Sequence, residues 1–483
     1  MTTKDQQAIA RLEETFALQR AAYLKAPCPT LAERLDLLQR IPGMMMSNAK
    51  RIAEAMNSDY GYHPELTTYM FDVVNVVGRA QYVARVLPTW MARDYRELEP
   101  HLYGSSKSYI EYQPKGVIGN MPAWNFPVDL SVGPLCEMLA AGNRVIIKPS
   151  EQTPAVGQLL AEMIGVTFDR DRVSVENGGV DLARHFSTLK WDHLLYTGNT
   201  TIGREVMRKA AENLVPVTLE LGGKNPTVFT EEGVTAKNVA RMLGVKLTKN
   251  GQLCITVDHC LVPASALDRF VGLVKDFVTT KLGDYTTSEL NCAVINARQF
   301  DRLQRYVDEA KANDVSKVVE LGSAAQRNNG NNGPCRMPLT LVIDPVPGSL
   351  LDENEVFGPI LPIITYTDFD QAIARIQSGE RPLGIYVFSD QPELVERLRR
   401  NTSSGGFCVN AAALQGAQEN LGFGGVGKSG MGRHHGIEGF REFSNPRGCV
   451  ELASDANLEP LMSPHGEVSR QFLKAVTGGL LGS

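Results

Sequence analysis

No segment of this chain is apolar for the length of a bilayer crossing, no CxxC pair occurs, and no block of like charge stands out. Each absence removes a class of protein. A membrane helix needs about 20 apolar residues in a row. The opening MTTKDQQAIARLEETFALQR reads instead as an amphipathic helix with acidic residues, unlike a signal peptide, and FLKAVTGGLLGS is too short and glycine-rich to cross. A cytoplasmic protein without a membrane partner is the expectation. Eight cysteines among 483 residues form no disulfide framework. Basic residues are scattered in a chain of net charge -5, so no nucleic-acid partner is expected. Cys254, His259 and Cys260 are the one close cluster that suggests metal; their spacing fits no usual zinc pattern, and no metal is expected. His434 and His435 adjoin a glycine-rich turn and read as surface or interface residues. No repeat at solenoid or propeller periods is present.

What is present is ordinary globular material, 43% hydrophobic and 21% charged. At roughly 100–200 residues per domain the length suggests about three units. The first ninety or so residues read as helices, with Leu31, Leu35 and Leu38, then Ile52 and Met56, at helical spacing. Residues 93–113 turn polar and aromatic, with Tyr103, Tyr109, Ile110 and Tyr112 suggesting a hairpin or extended arm. From Gly116 onward, short apolar runs (GVIGN, RVIIKPS, DHLLYTG, VPVTLELGGK) alternate with helical stretches, which predicts a mostly parallel α/β sheet. A second α/β region follows over about 225–433, with a helix around 239–249, a short turn holding Cys254 and the strand CLVPA. GSAAQRNNGNNGPCRMP reads as a polar loop.

Individually, the residues that could carry chemistry are ambiguous. No GxGxxG fingerprint follows a strand; GNTTIG at 198–203 offers the same logic in looser form, a glycine turn leading to a helix start that can face a pyrophosphate. A lone cysteine such as Cys254 is more often a small buried apolar residue than a nucleophile. The same plain reading is taken for Cys28, Cys136, Cys292, Cys335, Cys408 and Cys449. Glu220 ends an apolar strand, where a carboxylate is solvated, paired or functional.

Together they carry more. AWNFP at 123–127, KPSE at 148–151, TGNTTIG at 197–203, ELGGKNP at 220–226, GQLC at 251–254, EVFGP at 355–359 and FGGVGKSGMGR at 423–433 occur in that order. Over nearly its full length the chain therefore resembles the aldehyde dehydrogenase superfamily. NLVPVTLELGGKNP, INARQFDRLQRYVDEA, DFDQAIARI and FGGVGKSGMGRHHGIEGFREFS are similar to the class 3-like branch, including bacterial coniferyl aldehyde dehydrogenases. The resemblance implies an α/β fold with a Rossmann-like cofactor domain (1–92 and 114–222), an α/β catalytic domain (223–433), a β-hairpin oligomerisation arm (93–113 and 434–454), a tail (455–483) and a homodimer. It implies NAD as cofactor, with NADP as the alternative, and a small-molecule aldehyde as substrate.

For the matched positions, the resemblance implies Cys254 as nucleophile, Asn125 as oxyanion donor beside the Cys254 N–H, and Glu220 as the base for the deacylating water. Lys148 and Glu151 would meet the adenosine ribose; Ser150, Thr197, Gly198, Gly203, Leu221 and Gly222 would border the dinucleotide; Glu355 would hold the nicotinamide ribose, with Phe357 and Trp124 beside it. The family's PWNFP reads here as Pro122-Ala123-Trp124-Asn125, so the proline stands one place early and a fixed φ is lost before Trp124. The implied reaction is thiolate addition to an aldehyde, hydride loss to nicotinamide and hydrolysis of the thioester. An aromatic, coniferyl-like aldehyde is the expected substrate. The alternatives are an aliphatic aldehyde, acyl transfer to coenzyme A, and an idle oligomeric binding protein.

Overall fold

In a computed structural model the described residues are 3–313, 315–327 and 333–481. Residues 328–332 of the expected polar loop lie outside them. The N-terminal third is helical for the reasons its spacing gives. Helix Leu31–Ser47 starts at Thr30, whose hydroxyl accepts the Glu33 N–H while the Glu33 carboxylate accepts the Thr30 N–H, a reciprocal cap. Its buried stripe includes Leu37, Leu38, Ile41 and Met45, and helix Ala49–Tyr60 adds Ile52 and Met56.

These helices, with Asp129–Ala140 and Pro154–Thr167, bury one face of a six-stranded sheet. Its order is Gly430–Met431, Val217–Leu221, His193–Gly198, Val117–Met121, Arg144–Ile147, Val173–Val175. All neighbours are parallel except the first pair. Thr3–Lys25, Val180–Phe186 and Thr200–Ala211 cover the opposite face, so the sheet is doubly wound. Strand order reverses between Val117–Met121 and His193–Gly198. A crevice opens at the carboxyl ends of strands at such a reversal; Gly198 and Glu220 stand at those ends, and the segments carrying Asn125 and Lys148 leave from them.

The second sheet has seven strands, ordered Lys317–Leu321, Leu339–Ile343, Ile360–Tyr366, His259–Pro263, Pro226–Phe229, Gly384–Phe388, Gly406–Val409, and only its first pair is antiparallel. Stacked Phe229 and Phe388, ring centres 4.7 Å apart, sit in its core. Of the 223–433 stretch, Gly430–Met431 alone among these strands joins the other sheet, placing Gly430 opposite Glu220. Asp94–Arg96, Lys107–Pro114 and Ser444–Glu451 form a separate antiparallel three-stranded sheet, the arm suggested by 93–113 and CVELA.

His434 and His435, expected at the surface or an interface, are instead buried within the chain, 2% and 7% exposed. The rings stack on each other at 4.5 Å and pack on Phe423. Arg79 faces His435 Nε2 at 2.8 Å and makes an ion pair with Glu137 at 2.6 Å, both side chains essentially inaccessible. Burial and the guanidinium charge hold both imidazoles well below their ordinary pKa, so they stay neutral. A partner more than 350 residues away makes this burial tolerable, and no local pattern reveals it. Removing one member of a buried ion pair strands the other charge. Arg79→Met is therefore expected to destabilise the fold by about 3–5 kcal/mol, read from the urea unfolding midpoint; a loss below about 1 kcal/mol would contradict this account of the pair.

Candidate active site

Glu220 is the penultimate residue of strand Val217–Leu221 and is 2% exposed. Neither carboxylate oxygen has a hydrogen-bond partner. Burial drives its pKa well above the ordinary carboxylate range, with the nearby Arg433 charge opposing and the Glu442 charge reinforcing the shift. Room for the group comes from glycine: a Cβ on Gly424 would stand 2.8 Å from Glu220 Oε1. A buried, unpaired acid is costly and needs a reason.

The loop bearing Cys254 follows helix Ala236–Leu247 through three residues in the left-handed region, Lys249 (φ 45°), Asn250 (φ 59°) and Gly251 (φ 74°). Such a run is unfavourable for residues with a Cβ and must be held by its surroundings. Buried amides hold it. Gln252 Nε2 donates to the carbonyls of Lys249 (2.9 Å) and Ala293 (3.0 Å), and its Oε1 accepts the Ile295 N–H at 3.0 Å. Asn225 Nδ2 donates to the carbonyls of Cys254 (2.7 Å) and Thr256 (2.9 Å), while its Oδ1 accepts the Gly384 N–H at 2.8 Å. The Cys254 thiol is half-buried. Desolvation first, then the Glu355 and Glu220 carboxylates, push its pKa far above the ordinary thiol value.

Asn125 reaches this loop from the first sheet, its Nδ2 donating to the Gln252 carbonyl at 3.1 Å. Its own carbonyl accepts from Lys249 Nζ (2.9 Å) and from the Tyr60 hydroxyl (3.1 Å), which also meets the Trp124 carbonyl at 3.2 Å. These contacts grip the backbone where the displaced proline leaves it less restricted. Lys249 Nζ pairs with Asp72 Oδ2 at 2.7 Å, both side chains wholly buried.

On the other side of the crevice, Thr197 and Gly198 lie across the ladder from Glu220 and Leu221. Asn199 caps helix Thr200–Ala211 by accepting the Thr201 N–H at 2.8 Å. A Cβ on Gly203 would approach Leu221 Cδ2 to 2.6 Å, so glycine lets the helix start lie close on the sheet. Gly222 has the same role toward Glu355, whose carboxylate would collide with any Cβ there. Glu355 accepts the Gly223 N–H at 3.0 Å, and burial pushes its pKa up to about 8. Phe357 has φ 47°, uncommon for an aromatic residue. Arg302 pins that segment by donating to the carbonyls of Glu355 (3.4 Å), Val356 (2.9 Å) and Phe357 (3.3 Å). The Phe357 ring then meets Trp124 edge-on at 5.4 Å. Lys148 pairs with Glu151 at 2.9 Å; burial works against ionisation of Glu151, but the lysine outweighs it and the pKa is lowered. Ser150 Oγ accepts the Gln152 N–H at 3.3 Å.

This set fits a dinucleotide: two carboxylates suit ribose hydroxyls, and a helix start with a close-packed glycine suits a pyrophosphate. Among the described residues no group of three or more His, Cys, Asp or Glu side chains gathers as metal ligands. Asn225 in ELGGKNP, Gln252 in GQLC and Arg302 in INARQFDRLQRYVDEA stand inside the quoted motifs without an assigned role, whereas Asp72 and Lys249 carry no local signal for theirs.

An aldehyde dehydrogenase family model matches residues 7–448. The probable coniferyl aldehyde dehydrogenase of Caulobacter vibrioides is 36% identical, covering 96% of this chain and 96% of its own. The coniferyl aldehyde dehydrogenase of a Pseudomonas species is 36% identical over 94% of each chain. The dimeric NADP-preferring aldehyde dehydrogenase of dog is 32% identical over 94% of this chain and 98% of its own. Among solved structures, substrate-bound AldH of Staphylococcus aureus aligns with a TM-score of 0.89 at 29% identity, covering 96% of this chain and 99% of that one. The NAD+ complex of a Mycobacterium tuberculosis aldehyde dehydrogenase gives 0.81 at 26% identity, with 92% and 90% covered. In sequence across most of its length, and in fold, this chain belongs to the aldehyde dehydrogenase family.

Proposed function

We propose that this enzyme oxidises an aromatic, coniferyl-like aldehyde to its acid with NAD, through a thioester on Cys254. The observation that carries the reading is a sealed carboxyl, Glu220, that has no hydrogen-bond partner and lies near enough to the half-buried Cys254 thiol for its charge to act on it. The Cys254 thiol gives up its proton to solvent and its sulfur adds to the aldehyde carbon, forming a C–S bond as the carbonyl π bond opens to an oxyanion. The Cys254 N–H and the second Nδ2 proton of Asn125 stabilise that oxygen. Bound NAD supplies the hydride acceptor, and loss of hydride leaves the thioester. Glu220 then takes a proton from a water, the hydroxide adds to the acyl carbon, and the C–S bond breaks to release the acid. Retention of this base favours water over coenzyme A as acyl acceptor.

Aromatic preference draws support from the coniferyl aldehyde dehydrogenase relatives and from the rings at the crevice. Trp124 faces Phe357, and Phe126 meets Phe71 edge-on at 6.4 Å. Tyr60 and Tyr62 are occupied in packing, their hydroxyls donating to backbone carbonyls of Trp124, Asn125 and Glu289. Glu151 favours NAD, since a carboxylate accepts a ribose 2′-hydroxyl and repels a 2′-phosphate. The division into cofactor, catalytic and arm units, and a homodimer joined through the arm, belong to the same proposal. The outer edge of strand Ser444–Glu451 has no partner strand among the described residues, with Val450 exposed on it and Leu452 exposed just beyond. No described helix is long and apolar enough to cross a membrane.

Glu220→Gln should spare acylation, giving an NADH burst and then turnover slowed by about 10²–10⁴; stopped-flow turnover equal to the parent removes Glu220 from the mechanism. Because the base acts only when ionised and its pKa is raised, hydrolysis of preformed acyl-enzyme should rise with pH, along a limb displaced above the ordinary carboxylate range near 4–4.5. For cofactor choice, kcat/KM should favour NAD, and Glu151→Gln should narrow that preference by about tenfold; a parent preferring NADP refutes the role. Across a panel of cinnamyl, benzyl and straight-chain aldehydes, the cinnamyl members should give the highest kcat/KM. A straight-chain optimum would assign the aliphatic alternative.

A further inference from the structure

The buried Lys249–Asp72 pair lies outside the chemistry described so far, yet it touches both halves of the oxyanion site. The Lys249 backbone begins the left-handed turn that delivers Cys254, while its ammonium bonds the Asn125 carbonyl at 2.9 Å and lies 3.7 Å from the centre of the Phe126 ring. One side chain thus ties the loop of the second sheet to the loop of the first. Its counter-ion is placed by irregular backbone too. Asp72 sits in the π-helical turn Tyr69–Val74, between Glu65–Thr68 and Asn75–Trp90. Such a turn re-aims side chains relative to a regular helix and often marks a functional site. Asp72 Oδ2 meets the ammonium at 2.7 Å, while Oδ1 has no partner.

A fully buried pair is a poor device for stability alone, because desolvation offsets most of the attraction. Its value here is directional. Tyr60 has one hydroxyl proton for the carbonyls of Trp124 and Asn125, so the ammonium is the donor that can hold the Asn125 carbonyl without sharing. With that carbonyl held by Lys249, and Asn125 Nδ2 anchored to the Gln252 carbonyl two residues before Cys254, both ends of Asn125 are tied to the loop that bears the thiol.

We propose that Lys249 and Asp72 are positioning residues for the oxyanion site, acting through Asn125 to set the rate of thioester formation. The inference rests on the reading of Asn125 as the oxyanion donor. It predicts that the pair affects acylation and leaves NAD binding alone.

A double-mutant cycle on the NAD-loaded enzyme with benzaldehyde tests it, using the rate constant of the NADH burst and normalising to burst amplitude so that misfolded molecules do not count. Lys249→Met should slow the burst about 10- to 100-fold, below the 10²–10³ typical of losing a donor outright, with KM for NAD unchanged within about twofold. In an Asn125→Ala background the same substitution should cost less than about threefold, because the group it positions is gone. A burst at the parent rate in Lys249→Met, or losses that multiply in the double variant, would overturn the proposal. If Lys249→Met does not fold, Asp72→Asn enters the same cycle and must show the same non-additivity. An Asn125→Ala enzyme that bursts at the parent rate sinks the assignment of Asn125 itself, and this inference with it.

Discussion

The site depends on three neutral amides. Cys254 stands between two sheets that share no covalent brace near it, and the side chains of Asn125, Asn225 and Gln252 span the interval. An amide can donate and accept at once, so each joins two or more segments that would otherwise slide independently. Asn225 ties the Cys254 loop to the start of strand Gly384–Phe388, and Gln252 ties it to residues 293–295. Asn125 closes the gap to the first sheet. Carboxylates or ammoniums in these places would add fixed charge beside Cys254 and would cost more to bury. Bonded amides are cheap to bury and rigid.

Three glutamates around the crevice show how surroundings assign work to one functional group. Glu151, paired with Lys148, has its pKa lowered and is ionised at neutral pH. Glu355 is tethered by the Gly223 N–H but desolvated, and titrates near 8. Glu220 has no hydrogen bond and the strongest reason to hold its proton. The three follow a gradient from an ionised acceptor to an acid that holds its proton, produced by partners and burial alone.

Much of this was legible before the fold was known. The apolar runs GVIGN, RVII, HLLYTG and VTLEL are parallel strands of the first sheet because their length and flanking turns allow little else. The expected helix before Cys254 is there, ending at Leu247 rather than Lys249 because the left-handed turn intervenes. The motif residues converge at the carboxyl ends of the strands, as a reversed strand order requires. What stayed hidden has one physical character. Asp72 meets Lys249 across 177 residues, Arg79 meets His435 across 356, and Gly430 lies across the ladder from Glu220. Periodicity reports which face of an element is buried; it carries no information about which distant polar group waits there.

The sealed carboxyl of Glu220 also bears on how such a chain can be improved for heat resistance. A leucine in its place would bring no unsatisfied oxygens and would fill the same volume with apolar contacts, so the native state would gain stability while the base proposed above was lost. Selection for thermal endurance alone would discard this residue early. Under the proposed role, its presence is a stability–activity trade-off, in which the robustness of the surrounding sheets tolerates a weak point.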